Sequence, residues 1–355
     1  MDLYTAVVLI TAAMLAVAVI DIQSNRVIGA HMKRNSTITC ILIALSAFFE
    51  WVSVMTNGAA LTLIPVHKAA KLLEFCIAPL IGVMATASYS KIRRPLLIAV
   101  LSVCHMLFET IALPFGLVIS IGEDNIYHRG PLYPLYILIF SLSVIFCVVS
   151  MVRSELRHYL RPSLVLSAIL ALLILGVGIQ MVYSDVRVDY LCVAVCNYFL
   201  YNHRCKIILQ LDGLTYLLNR RCFEKDLEKV TPPAVFLLMD INDFKGLNDT
   251  FGHAAGDYYL KEIAEMLRSV YGRSGTCYRY GGDEFCVILK KNTDRVKEFN
   301  AAMERKVRTR QAADGKFPGV SIGYARYDSR NLRIAEMLKN ADEMMYQIKK
   351  ENKKP

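Results

Sequence analysis

Seven apolar stretches fill residues 1–203, each close to the roughly 20 residues that carry a helix across a bilayer (4–20, 36–56, 68–88, 95–120, 132–152, 162–183 and 188–203). The last is the most polar, because Asp189, Asn197 and Asn202 interrupt it. The 355-residue chain is 55% hydrophobic and 20% charged, which excludes a disordered chain, a collagen-like chain and a small disulfide scaffold. The charge is unevenly divided. There are 13 basic and 10 acidic residues before position 204, and 28 and 21 in the 152 that follow, about 11% against about 32%. The first part reads as membrane, and the second as a soluble domain large enough to bury its own core.

Loop charge predicts the orientation. Arg26, Lys33 and Arg34 lie in loop 21–35, Lys91, Arg93 and Arg94 in loop 89–94, and Arg153, Arg157 and Arg161 in loop 153–161. The alternate loops hold no cation (57–67), Arg129 alone (121–131) and Arg187 alone (184–187). By the positive-inside rule the N-terminus lies outside and the C-terminus in the cytoplasm, which needs an odd number of spans, and seven fits. The start, Met1-Asp2-Leu3-Tyr4, lacks the positive region of a cleavable signal peptide.

Several ionisable residues fall inside these stretches: Glu50 beside the sole tryptophan, Trp51, then Lys71 with Glu74 and His105 with Glu109, each pair one turn apart. Charge at membrane depth faces a bundle interior. Two readings stay open: a polar pocket that senses a ligand or ion, or pairs that hold the bundle together. The ten cysteines show no zinc spacing, and the soluble part is expected to carry no disulfide, as in a reducing compartment.

In the soluble part, Ala234 to Met239 is a short apolar run ending at Asp240 and reads as a buried strand. Residues 248–271 have helical spacing. Tyr278 to Leu289 reads as a hairpin whose Gly281-Gly282 turn holds Asp283 and Glu284. A helix over 293–310, a strand over 319–325 and a helix over 332–351 follow. The order βαββαβ predicts a ferredoxin-like α/β sandwich. Asp240 and the hairpin acids can then meet on one sheet edge. Clustered carboxylates need a cation between them, and hard oxygen ligands favour Mg²⁺ or Mn²⁺, a setting suited to nucleotide phosphates. An ordinary turn with solvated acids is the alternative.

Residues 281–285 read GGDEF after Arg279-Tyr280, Asp212 to Arg221 reads DGLTYLLNRR, and 240–257 reads DINDFKGLNDTFGHAAGD. Asp342-Glu343 and Tyr346 to Lys349 close the pattern. Over about 208–353 the sequence resembles GGDEF-domain diguanylate cyclases, α/β domains of the nucleotidyl cyclase palm type. The layout ahead of it resembles the seven-helix sensor regions of bacterial histidine kinases. The division expected is 1–203 for the sensor, 204–211 for a short linker helix and 212–355 for the cyclase domain.

The resemblance implies that two GTP molecules condense to cyclic di-GMP across a homodimer, releasing two pyrophosphates, with two metal ions in each half-site. It implies metal ligation by Asp240, the Ile241 carbonyl, Asp283 and Glu284, with Asp283 also the base at the 3′-hydroxyl. It places guanine recognition on Asn248 and Asp257, and phosphate binding on the backbone of Asp243 and Phe244, on Gly281 and Gly282, and on Lys245, Lys349 and Lys353.

Two positions depart from the family pattern. Asn242 stands where a second Asp is usual, so retained activity with altered metal affinity is expected. The RxxD product-inhibition site falls on Gly272-Arg273-Ser274-Gly275, with Arg273 shifted by one and no Asp in place. The expectation is an inner-membrane, multi-pass diguanylate cyclase under an unknown signal, binding GTP and no nucleic acid. A non-catalytic GTP-binding scaffold on a membrane receptor is the alternative.

Overall fold

The computed structural model describes residues 2–89, 92, 94–158, 164–182, 187–328 and 333–352. The chain divides into two compact units, Met1–Lys206 and Ile207–Pro355.

The first unit holds helices α1 (Leu3–Ser24), α2 (Ala30–Thr56), α3 (Ile64–Tyr89) and α4 (Pro95–Ala112). A hairpin of β1 (Ile119–Ile121) and β2 (Tyr127–Arg129) follows, then α5 (Tyr133–His158), α6 (Leu164–Val182) and the start of α7 (Asp189–Gln210). Five helical segments among the described residues are long and apolar enough to cross a membrane: Leu3–Ser24, Ala30–Thr56, Leu61–Tyr89, Pro95–Phe115 and Tyr133–Ser154. α6 contributes a shorter apolar stretch, Leu164–Gly176.

The apolar run expected as one span over 95–120 is not one helix. α4 ends at Ala112, Leu113–Phe115 makes a single 3-10 turn, and Gly116 takes a left-handed φ of 61°. Pro114 cannot donate to the preceding turn and Gly116 reverses the chain, so the residues after them pair as β1. The hairpin is tied to the helices. Asn125 Nδ2 donates to the Thr56 carbonyl at 2.7 Å, and the buried His67 ring bridges Asn125 Oδ1 at 2.9 Å and Ser53 Oγ at 3.1 Å. The buried pair Lys71–Glu74 closes to 2.8 Å, and His105 Nδ1 stands 3.8 Å from Glu109 Oε1.

The second unit contains β3 (Leu218–Asn219), α8 (Arg220–Leu227), β4 (Ala234–Ile241), α9 (Phe244–Phe251), α10 (His253–Tyr271), β5 (Gly275–Gly281), β6 (Glu284–Leu289), α11 (Val296–Ala313), β7 (Val320–Tyr327) and α12 (Ile334–Glu351). The sheet order is β3-β5-β6-β4-β7. β3 runs parallel to β5, and every other neighbouring pair is antiparallel. The two-residue edge strand β3 lies outside the elements read from the sequence.

β4 is apolar from Ala234 to Met239 because helices cover both its faces. Val235, Leu237, Met239 and Ile241 pack with Leu260, Ile263 and Leu267 of α10. Ala234 and Phe236 pack with Phe223 of α8 and with Met337 and Ala341 of α12. α12 lies tight on the sheet at Gly323, where a Cβ would meet the Ala341 carbonyl oxygen and come within 2.5 Å of the Met345 nitrogen. Both obstacles are backbone, so Gly323→Ala should cost about 1–3 kcal/mol, read as a lower urea midpoint for the 207–355 unit; an unchanged midpoint would contradict this packing.

Candidate functional site

Side-chain alternation along β4 puts Asp240 on the α12 face and Ile241 on the α10 face. Asp240 is buried and lies in register with Glu284 of β6 and Ser321 of β7. The Ile241 N–H donates to the Asp283 carbonyl at 3.3 Å, which fixes the hairpin tip against the end of β4. Lys349, one turn beyond Met345 on α12, brings its Nζ to 2.6 Å from Asp240 Oδ1. Burial, and after it the carboxylates of Asp240 and Asp283, raise the pKa of Glu284 above the ordinary glutamate value. The edge therefore carries excess negative charge, with one lysine against it.

The tip is held from below. Arg279 donates through Nε and Nη2 to the Gly282 carbonyl, at 3.0 and 2.7 Å, and through Nη1 to Asp212 Oδ1 at 3.0 Å. The same Asp212 oxygen accepts from the Thr215 hydroxyl at 2.7 Å and the Thr215 N–H at 2.8 Å. Burial alone would raise the Asp212 pKa, but the bonds from Thr215 and Arg279 outweigh it and lower the value. Gly282 has φ of 35°, which favours glycine at this turn. Asp212 and Arg279 both lie in the sequence motifs, and the sequence signal for this clamp is an acid that opens an Asx-type turn together with a permanently charged arginine beside the Gly-Gly turn.

A second group lies on α9 and α10. Gly252, at φ of 81°, ends one helix and starts the other. A Cβ at Gly256 would run into Asn248 Oδ1 and stand 3.1 Å from the Phe244 ring, so glycine leaves room for the Asn248 amide. Asp257 follows, exposed, and Lys245 is exposed on α9. Asp243 takes left-handed φ and ψ of 47° and 40° just before α9, where the first N–H groups of a helix lack intrahelical acceptors.

Asn242 is engaged with β7: its Oδ1 accepts from the Ser321 hydroxyl at 2.7 Å and its N–H donates to the Gly319 carbonyl at 2.8 Å. Lys349, expected on phosphates, here lies on Asp240. Lys353 falls outside the described residues.

Among the described residues no three His, Cys, Asp or Glu side chains converge into a cage for a metal ion. Mg²⁺ does not require one, because it binds through one or two carboxylates together with water and substrate phosphates. The in-register Asp240 and Glu284, with the depressed acidity of Glu284, suit that kind of open site.

Residues 209–355 match the family described as Diguanylate cyclase, GGDEF domain. Diguanylate cyclase A of Treponema denticola is 36% identical over 122 residues, which are 32% of this chain and 32% of that protein. The cyclic di-GMP phosphodiesterase NbdA of Pseudomonas aeruginosa is 32% identical over 148 residues, 39% of this chain and 19% of that protein. The chain thus spans about a third of the first relative and a fifth of the second. Among solved structures, the GGDEF domain of DgcB from Caulobacter crescentus in complex with c-di-GMP is 27% identical, with a TM-score of 0.36, covering 40% of this chain and 91% of that one.

The Asp212 clamp has a pH signature. A carboxyl whose folded pKa is depressed stabilises above its unfolded value, about 3.9, and that stability is lost as pH falls through the folded value. Asp212→Asn should therefore lower stability by on the order of 1 kcal/mol at pH 7. The gap between the two denaturation midpoints should close as pH falls below 4; a gap independent of pH would contradict the clamp.

Proposed function

We propose that the chain is a membrane-bound diguanylate cyclase of a bacterial inner membrane, with its N-terminus outside and the catalytic domain cytoplasmic. The observation that carries the reading is the meeting of Asp240 and Glu284 in register, with Asp283 at the adjoining tip. The match of residues 209–355 supports it, and the five apolar segments support the membrane part. Seven spans, the orientation and the sensor role rest on loop charge and layout. The strand order of β4 to β7 supports the ferredoxin-like reading.

In this reading each domain holds one GTP, and two domains of a homodimer face each other. The 3′-oxygen of one GTP forms a bond to the α-phosphorus of the other. The bond from that phosphorus to the pyrophosphate oxygen breaks, and the 3′-proton passes toward Asp283. The second, symmetric step closes the ring, and two pyrophosphates leave. Asn248 and Asp257 read guanine: the carboxylate accepts from N1–H and the 2-amino group, and the amide serves O6 or N3. The backbone at Asp243, Phe244, Gly281 and Gly282 receives phosphate oxygens, with Lys245 and Lys353 supplying charge. Two Mg²⁺ or Mn²⁺ in each half-site, held by Asp240, the Ile241 carbonyl, Asp283 and Glu284, would neutralise phosphate charge. Lys349 leaves Asp240 for the phosphates when nucleotide enters. Asn242, engaged with Ser321, keeps a structural task, so its departure from Asp leaves the metal ligands intact.

A non-catalytic GTP-binding scaffold is the second reading. The same segment matches a relative named as a phosphodiesterase, which favours it.

The test is to incubate residues 204–355 and the full chain with GTP and Mg²⁺. Cyclic di-GMP should form, and Asp283→Ala should reduce it at least 100-fold. GTP binding without product would favour the scaffold. No product inhibition through the segment before β5 is expected, because a side chain at Gly275 would come within 2.5 Å of the Ile288 carbonyl oxygen. Non-competitive inhibition by sub-micromolar cyclic di-GMP would overturn that expectation.

A further inference from the structure

The first unit contains a cavity of about 850 Å³, within the range of small-molecule sites. Its lining on α5 runs from Tyr133 to Met151, about 27 Å at the helical rise of 1.5 Å per residue. Its two ends differ. One is ringed by Glu50, Lys71, Glu74, Arg129, Arg187 and Asp189. These come from the C-terminal end of α2, the first turns of α3, the β2 strand, Arg187 just before α7 and Asp189 at its start. The other end is walled by Val144, Ile169 and Leu173, among other apolar residues of α5 and α6.

The ring holds three acids and three bases, so at full ionisation its formal charges balance. Glu74 has Lys71 at 2.8 Å; Glu50 accepts from the Tyr4 hydroxyl at 2.7 Å and has Arg187 at 3.6 Å. Aromatic faces line it as well: Lys71 Nζ lies 5.0 Å from the Tyr127 ring centre, and the Arg129 guanidinium 4.9 Å from that of Tyr133. Ion pairs whose only task was to hold helices together would leave close packing around them. Here they open onto a long apolar cavity. A ligand with net charge would unbalance the ring at membrane depth, whereas one carrying both signs would not.

We propose that this cavity binds a small zwitterionic amphiphile, with its charged head in the ring and its apolar chain between α5 and α6. On the orientation proposed above, the ring opens to the outer face. The inference concerns the membrane unit alone and stands whether or not the cyclase reading holds. The same chemistry is offered by a free solute, such as a dipeptide with apolar side chains, and by a membrane lipid with an ethanolamine head.

The chain supplies its own reporter. Trp51 is the sole tryptophan, adjacent to Glu50, with Nε1 donating to Thr5 Oγ1 at 2.9 Å. The full chain would be placed in nanodiscs of phosphatidylglycerol, which offers no zwitterion. Leucyl-leucine, lysophosphatidylethanolamine, octylamine and octanoate would then be titrated, each followed by Trp51 fluorescence and by calorimetry. At least one zwitterion should bind saturably, at least tenfold more tightly than either singly charged probe. Arg129→Gln should weaken it tenfold or more without altering the thermal unfolding profile, and Glu74→Gln tenfold or more in protein that still folds but unfolds at a lower temperature, since it leaves the buried Lys71 without its carboxylate. Binding of the dipeptide alone assigns the soluble source, and binding of the lysolipid alone the membrane source. The proposal is overturned if neither zwitterion saturates, if octylamine or octanoate binds as well, or if well-folded Arg129→Gln binds unchanged; that exposed arginine can be replaced without disturbing the core.

Discussion

Two carboxylates at the ends of adjacent strands repel each other unless a cation, a proton or water lies between them, and the acidic edge of the second unit is arranged around that constraint. Asp240 and Glu284 are cross-strand partners, and like charges placed directly opposite destabilise a sheet. Asp240 is buried, so water relieves little of the repulsion. Lys349 meets it with a 2.6 Å contact. That contact depends on α12 lying close against β7, which depends in turn on Gly323 having no side chain. The hairpin tip depends on Arg279, which joins Gly282 to Asp212. Each of these groups serves to hold acids where they would not gather unaided. In the proposed reading, this edge would exchange its lysine for a more highly charged cation that arrives with phosphate.

The membrane unit meets the same constraint differently. Lys71 with Glu74, and Arg187 with Glu50, put opposite charges together where an isolated charge would be costly. The hairpin of β1 and β2 closes over this region and is held by the His67, Asn125 and Ser53 hydrogen bonds. Charged contacts gathered at one end leave most of the remaining cavity wall to apolar side chains, with Asn197 as a polar group among them.

The sequence made local features readable and left distant contacts hidden. β4 stood out because six apolar residues in a row between Pro233 and Asp240 fit a strand buried on both faces. The Gly-Gly turn announced the hairpin, and the acids of both elements were predicted to share an edge. The bond from Lys349 to Asp240 was not legible, since it spans 109 residues and depends on how α12 packs. Asn242 was visible as a departure, but its partner Ser321 lies 79 residues on. Residues 95–120 misled in another way. Hydropathy alone joined α4 to β1, although Pro114 and Gly116 already carried the signal for a break. The fifth strand, β3, is two residues long and has no periodicity to detect.

The central claim is that the Asp240 edge accepts metal together with nucleotide. Electron paramagnetic resonance of Mn²⁺ measures this directly, because free, GTP-bound and protein-bound ions give different spectra. With the intact chain and GTP, bound Mn²⁺ should exceed what GTP alone retains, and Asp240→Asn should remove the excess while the protein remains folded. Bound Mn²⁺ no greater than in GTP alone, or an excess that survives Asp240→Asn, would contradict the account.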